Sequence, residues 1–440
     1  MKNYTKQDIL RMVKEEDVEF IRLQFTDILG NLKNIAITAG QLERALDNRF
    51  TFDGSSIAGF VSTQDSDLYL HPDLSTMAVF PWRPQQGKVA RLLCNVCRED
   101  GTAFEGDSRN VLKKALKEAQ QMGYTFEVGP ECEFFLFPVD DSAVPTTDAK
   151  EQGGYFDVGP LDLGENARRD MVLTLEDMGL VVEASHHESA PAQHEIDLGY
   201  EEALSAADDL ITFQLAVRTI AKRHGLHASF MPKPKAGVNG SGMHINMSLK
   251  KDGKNIFQEE TDEMGLSPEA RFFIGGIIEH MKGMAAITNP LVNSYKRLCP
   301  GFEAPIYLSW GKSNRSTLIR IPAGRKENTR IELRSPDPCA NPYLTIAVCL
   351  MAGLDGIRRK VQPPKAVTEN LFVMTPGECE AAGLVRLPKD LSEALDELEK
   401  DTFLKNVLGE HITGEYLACK REEWRRYSEH ITDWELSEYL

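Results

Sequence analysis

Gly129-Pro130-Glu131-Cys132-Glu133-Phe134-Phe135 sets two carboxylates two residues apart inside a run of aromatic and β-favouring residues. The run predicts a strand. Successive side chains of a strand alternate faces, so Glu131 and Glu133 point the same way, about 7 Å apart, while Cys132, Phe134 and Leu136 pack on the opposite face. Two acids sharing one cavity are costly to bury unless cations neutralise them, which favours a metal site over a bare acid pair. Taken alone, the same pattern also fits an exposed edge strand.

The chain has 440 residues, enough for two or three domains around a large core. Its formal charge of -17, from 67 acidic and 50 basic residues, argues against a nucleic-acid backbone or an anionic membrane as the main partner. An anionic substrate would need local arginines or metal. No apolar run approaches a membrane span, and residues 1–6 lead into a polar helix rather than a signal segment, so a cytoplasmic location is expected. Eight cysteines are scattered, and Cys94 with Cys97 forms the one C-x-x-C, without a second pair to complete a zinc site. Buried reduced thiols are the expectation.

In chain order, Thr5 caps a short helix carrying Ile9 and Val13, and strands over 18–25 and 32–37 flank the Gly30-Asn31 turn of a hairpin. A helix over 41–47 and strands over 76–80 and 89–96 complete a small unit. Within it, Asp53-Gly54-Ser55-Ser56 either aims a carboxylate and hydroxyls outward or is an ordinary Asp-Gly turn. A helix over 108–122, closed by Gly123, opens the larger unit and leads into the E-x-E strand. The segment 184–197 is dense in ligand types, including Glu188 and Glu195, but its proline and small residues argue against a helix. Its histidine spacing matches no standard zinc pattern. After a long helix over 201–224, His244, Asn246 and Ser248 line one strand face opposite Met243, Ile245, Met247 and Leu249. Further on, Arg297 and Glu303 lie in a Pro-Gly segment suited to a lid. Arg330, Glu332 and Arg334 share a face that fits either an anion clamp or a surface ion ladder.

Together these motifs resemble type I glutamine synthetase, the prokaryotic form, over essentially the whole length. The resemblance rests on D-G-S-S at Asp53, G-P-E-x-E-F-F at Gly129, H-H-E and H-E-I-D around Glu188 and Glu195, N-G-S-G-M-H ending at His244, N-R-S through R-I-P, and R-I-E-x-R ending at Arg334. It implies an α+β fold: a β-grasp-like domain over 1–103, then a catalytic domain over 104–440 whose antiparallel sheet forms an active-site funnel. The implied assembly is a dodecamer of two hexameric rings with sites between subunits. It also implies two, possibly three, Mg2+ or Mn2+ ions per site, one held by Glu133, Glu188 and Glu195 and another by Glu131, His244 and Glu332. An oxygen-rich donor set suits those ions.

By the same resemblance, ATP drives ligation of ammonia to L-glutamate through a γ-glutamyl phosphate. Arg315, Arg320 and Arg334 are implied to stabilise the phosphoryl and carboxylate charge, and Asn246 with Ser248 to face ATP. Asn239, Gly240, His244, Arg297 and Arg334 are implied to hold glutamate. Ser56, Tyr155, Glu188 and Glu303 would form the ammonium pocket, with Glu303 on a flap and Asp53, from a neighbouring subunit, as general base. The chain resembles the subgroup without adenylylation: Phe372 stands where modifiable relatives carry tyrosine. Ala58 and Ser62 replace an acid and an arginine of feedback-inhibited relatives, so weak inhibition by glutamine is expected.

Overall fold

The computed structural model describes residues 3–83, 86–140, 142 and 144–440. Met1 and Lys2, at the start of the N-terminal reading, lie outside the described residues. Two sheets organise the chain, one of six strands and one of ten.

The small sheet begins as its sequence predicts. Thr5 and Asp8 form a capping box on the helix Lys6–Glu15, which buries Ile9 and Val13. Val18–Thr26 and Leu32–Thr38 pair as an antiparallel hairpin. Val18–Thr26 also pairs in parallel with Lys88–Cys97, and the edge is completed by Asp67–Pro72 and Phe50–Asp53. The expected strand over 76–80 shrinks to Ala78–Val79. Asp73 accepts hydrogen bonds from the Ser75 N–H and hydroxyl, and Thr76 Oγ1 donates to the Asp73 carbonyl, so local side-chain bonds hold Leu74–Thr76 as a 3-10 turn. The expected helix over 41–47 reduces to Leu42–Leu46.

The large sheet is built on one long strand, Thr125–Pro138, with Cys132, Phe134 and Leu136 buried as the alternation requires. Met243–Lys251 pairs with it on one side and Gln193–Leu198 on the other, both antiparallel. Val182–His187 then extends one flank, and Ile331–Leu333, Ile319–Ile321 and Trp310–Lys312 extend the other. The sheet departs from the expected all-antiparallel form at one pair: Trp310–Lys312 and Ile319–Ile321 run parallel. Ser313, in the left-handed region at φ 55°, and the turn from Asn314 to Thr317 fold the chain back so that the next strand repeats the direction.

Two apolar helices, Pro268–Thr288 and Pro342–Arg359, cross within the core. Gly276 and Gly356 face each other there, and a methyl on Gly276 would overlap the Ala352 carbonyl oxygen. Both helices start on side-chain caps, Ser267 and Asn341, with Pro at the first turn. One guanidinium joins the two units. Arg109, on the helix Ser108–Gln121, donates to both Asp208 oxygens at 2.9 and 2.7 Å, to Asp73 at 2.8 Å and to Asn95 at 2.8 Å, while the Tyr343 hydroxyl donates to Asp208 at 2.7 Å.

No described helix is long and apolar enough to cross a membrane. All eight cysteines are free thiols, and burial pushes the Cys97 thiol up to about 11.

Candidate active site

Strand register assembles the site. Glu131 stands opposite His244 on one neighbour and Asp197 on the other, and Glu133 stands opposite Glu195, which in turn faces His186. On the far flank Asn246 faces Glu332, and Glu332 faces Arg320. Directly opposed residues share a face, so these groups converge on one side of the sheet.

Two ligand clusters result. Glu131, His244 and Glu332 bring one donor atom each within 4.8 Å of one another, with His244 Nδ1 3.2 Å from Glu131 Oε2 and 3.8 Å from Glu332 Oε1. His186, Glu188 and Glu195 form the second, with His186 Nε2 3.0 Å from Glu188 Oε1. Glu133, expected in that second set, stands at its edge. One of its oxygens accepts from the Gly242 N–H at 2.8 Å and from Gln193 Nε2 at 3.0 Å. His186 belongs to the ligand-dense segment 184–197 but takes no assigned role from the sequence, and Gln193 is not singled out there, since only the hairpin geometry carries them inward.

The electrostatics fit a cation. Burial and the Glu188 carboxylate push Glu133 up to about 8, and burial together with Glu133 and Asp197 drives Glu195 well above the usual carboxylate range. These acids repel one another where water cannot screen them, and oxygen-rich sets of this kind suit hard divalent ions. Glu131 differs. Burial opposes its ionisation, but the hydrogen bonds from His244 and Asn246 and the charge of Arg334 bring it down to about 2. Burial and Arg334 lower His244, leaving a neutral imidazole available as a ligand.

The arginines close the cationic side. Arg320 Nη1 donates to Glu332 Oε2 at 2.6 Å, and Arg334 Nη1 donates to Glu332 Oε1. Arg334 Nε also donates to the Arg315 carbonyl at 3.1 Å, which ties the N-R-S loop to the sheet. The Arg315 side chain is exposed beside Tyr155. Partial burial lowers its pKa, but Tyr155, Glu332, Glu131 and Glu188 raise it further, and the net shift is upward. Arg297 is buried, with its Nη atoms donating to the carbonyls of Arg334, Ser335 and Pro336. Gly242 lets this guanidinium pass, since a methyl there would overlap Arg297 Nη2.

Asn246 and Ser248 line a cavity of about 550 Å³ together with Arg330, one of the arginines of the expected clamp face, and with Glu127, Tyr200 and Asn328, which the sequence alone did not single out. Arg330 Nε donates to Asn246 Oδ1 at 3.0 Å, and Gly129 admits the Tyr200 ring. Glu303 is exposed, and its N–H reaches Asn239 Oδ1 at 3.4 Å; Gly240 presents its carbonyl to Gln193 at 3.0 Å. Phe372 is half-buried beside Phe302, next to Glu303.

Asp53 and Ser56 are not brought to this cluster. Both are exposed at the edge of the small sheet, and among the described residues neither bonds to the large one. The Ser55 hydroxyl and N–H, at 2.6 and 2.8 Å, hold the Asp53 carboxyl below its usual range.

Comparison with known proteins agrees with this geometry. Residues 17–99 match the family model described as glutamine synthetase, beta-Grasp domain, and residues 105–439 the model described as glutamine synthetase, catalytic domain. A glutamine synthetase of Clostridium saccharobutylicum is 58% identical over 440 residues, covering 100% of this chain and 99% of that protein; one of Staphylococcus aureus strain Mu50 is 52% identical with the same coverage. Among solved structures, a GmaS/ADP complex superposes with TM-score 0.90 at 33% identity, covering 98% of this chain and 99% of its own. A Plasmodium falciparum glutamine synthetase superposes with TM-score 0.89 at 28% identity, covering 100% and 99%. With both of its units matched and relatives this similar along its whole length, the chain belongs to the glutamine synthetase family.

Proposed function

We propose that the carboxylate-lined face of the large sheet is where this chain couples ATP hydrolysis to amide formation. The chain is an ATP-dependent ligase that joins ammonia to L-glutamate and gives L-glutamine, ADP and phosphate. The observation that carries the placement is the register that sets Glu131 against His244 and Glu133 against Glu195 on one face.

Divalent metal ions belong to this chemistry, and the donors fit them. We assign one ion to Glu131, His244 and Glu332 and another to Glu188 and Glu195, with Glu133 at its edge and Mg2+ or Mn2+ as the ions. When bound, such ions neutralise phosphate oxygens and polarise the phosphoryl group.

The remaining roles belong to the chain's own side chains. Asn246 and Ser248 contact ATP in the cavity they line, and Asn239, Gly240, His244, Arg297 and Arg334 orient glutamate. The glutamate γ-carboxylate attacks the terminal phosphate, releasing ADP and forming γ-glutamyl phosphate. Arg315, Arg320 and Arg334 offset the charge that develops. Ammonium then gives a proton to Asp53 of a neighbouring subunit. The free ammonia attacks the acyl carbon, and phosphate leaves. Ser56, Tyr155, Glu188 and Glu303 surround the ammonium, and Glu303 closes over the acyl phosphate to exclude water.

The exposed edge position of Asp53 supports sites shared between subunits of a two-ring dodecamer, because one chain does not bring Asp53 to its own cluster. The boundary between units is placed at 103/104, between the strand ending at Cys97 and the helix starting at Ser108. Eight free thiols support a reducing, cytoplasmic compartment. The test is incubation of purified protein with ATP, glutamate, ammonium and magnesium, scored for glutamine. ADP release that is indifferent to ammonium, with no glutamine formed, would overturn the reading.

A further inference from the structure

We propose that His411 is a positioning residue for the ammonium half-reaction, acting through the D-G-S-S loop; the inference rests on the reading of Asp53 as the base. Asp53 ends the strand Phe50–Asp53, and the chain then makes two successive turns, Ile57 N–H to the Gly54 carbonyl and Phe60 N–H to the Ile57 carbonyl, each at 3.1 Å. Gly59 sits at the end of this path with φ 73°, where a methyl would overlap Ile28 Cδ1. Its carbonyl oxygen lies 2.9 Å from His411 Nε2, so that nitrogen carries the proton and donates.

Among the described residues this is the one hydrogen bond from the loop 54–62 to any part of the chain outside 50–66. The donor is well seated. His411 occupies the first turn of the helix Glu410–Ser428, and its ring meets the Phe104 ring edge-on at 5.2 Å. Phe104 in turn packs against Phe60 at 5.1 Å and carries the Arg98 guanidinium 4.9 Å above its face. Gly106 leaves the imidazole room, since a methyl there would come to 3.1 Å from Nε2. The loop bearing the exposed Asp53 and Ser56 leaves and rejoins the sheet, where Asp53 pairs with Asp67 and the Gly54 N–H donates to the Ser66 carbonyl; between these ends Phe60 is buried and the imidazole supplies a hydrogen bond from the C-terminal part of the chain.

Losing the donor leaves both ends of the loop on the sheet and Phe60 in the core, and loosens the span from Gly54 to Gly59 that carries Ser56, so the effect falls on the step that uses Asp53 and Ser56. The experiment compares His411→Leu, His411→Asn and His411→Gln for KM of ammonium, glutamate and ATP in the assembled enzyme. In Gln the amide nitrogen reaches about as far as the imidazole Nε2; in Asn it stops short. His411→Leu and His411→Asn are expected to raise the ammonium KM about fivefold, as for loss of one neutral hydrogen bond, with KM for glutamate and ATP unchanged. His411→Gln is expected to restore it to within about twofold of wild type, the shortfall reflecting the amide's looser fit against Phe104.

The same substitutions in an Asp53→Asn background should add nothing further to the ammonium term. Wild-type ammonium KM in both Leu and Asn variants, or equal rises in all three KM values, would overturn the proposal. So would Gln behaving like Leu in folded, assembled protein. If His411→Leu does not assemble, the Asn and Gln pair decides. An Asp53→Asn enzyme with undiminished ammonium-dependent turnover would remove the reading of Asp53 itself. Impaired Asp53→Asn beside silent His411 variants would remove only the role of His411.

Discussion

Glu332 holds both Arg320 and Arg334, accepting from one guanidinium on each carboxylate oxygen, in a position buried almost completely. This separates two substitutions that ligand chemistry alone would treat alike. Glu131→Ala removes a metal donor whose protein partners are the neutral Asn246 and His244, and it is expected to abolish glutamine synthesis with little loss of stability. Glu332→Ala removes a donor and strands two positive charges, and breaking a buried pair in this way costs about 3 kcal/mol. Urea unfolding beside magnesium titration of activity checks both. Equal stability of the two variants would contradict the pairing.

Asp53→Asn is expected to spare formation of the acyl phosphate and impair its amination, because an amide cannot take the proton from ammonium. The wild-type carboxylate is ionised at neutral pH, held so by Ser55. Ammonium-independent ADP release compared with glutamine output measures the difference. Equal losses in both would make Asp53 structural. With sites shared between subunits as proposed, mixed assemblies of Asp53→Asn and Arg334→Ala subunits should regain part of the activity.

His280 is expected to make stability fall with rising pH. Its ring lies between Asp401 at 2.7 Å and Asp355 at 3.2 Å and stacks on Phe403; Arg359 and Glu279 are the other charges nearby. Burial lowers its pKa, but the hydrogen bonds and charges of the two aspartates outweigh that and raise it. A raised folded pKa gives stability that is complete below the unfolded value near 6.5 and lost as pH rises through the folded one. Unfolding free energies across that window should slope downward in the wild type and flatten in His280→Gln. An unchanged slope would assign the effect elsewhere.

Gly276→Ala is expected to destabilise the protein by about 3 kcal/mol or more, although alanine favours helices. The added methyl has no room against the Ala352 carbonyl and the Gly356 backbone, and neither is a movable side chain. Chemical denaturation of the variant would reveal it. A gain in stability would mean that the two helices separate readily.

What the sequence made legible was mostly local. The strand through Glu131 and Glu133 was readable because alternation and aromatic content agree, and the helices at Ser267 and Asn341 because a cap, a proline and an apolar run agree. Pairing was not. Nothing near Val18 announces a parallel neighbour at Lys88, and Asp67–Pro72 is too short and too polar at its ends to stand out. The candidate site divides in the same way. Glu131, His244 and Glu332 came from motifs that the register then brought together; His186 lies in the ligand-dense segment but gains its place only from the pairing with Glu195, and Gln193 and Tyr200 enter only through the folding of hairpin and cavity.

Arg109 bears on how this enzyme could be recombined. Its guanidinium is satisfied from both sides at once, by Asp73 and Asn95 of the small unit and by Asp208, steadied by Tyr343, of the large one. A chimaera that took residues 1–103 from a relative lacking those two acceptors would inherit a buried cation only half solvated by protein. The two units are therefore not interchangeable modules. They behave as halves of a single casting, cross-braced through one buried guanidinium.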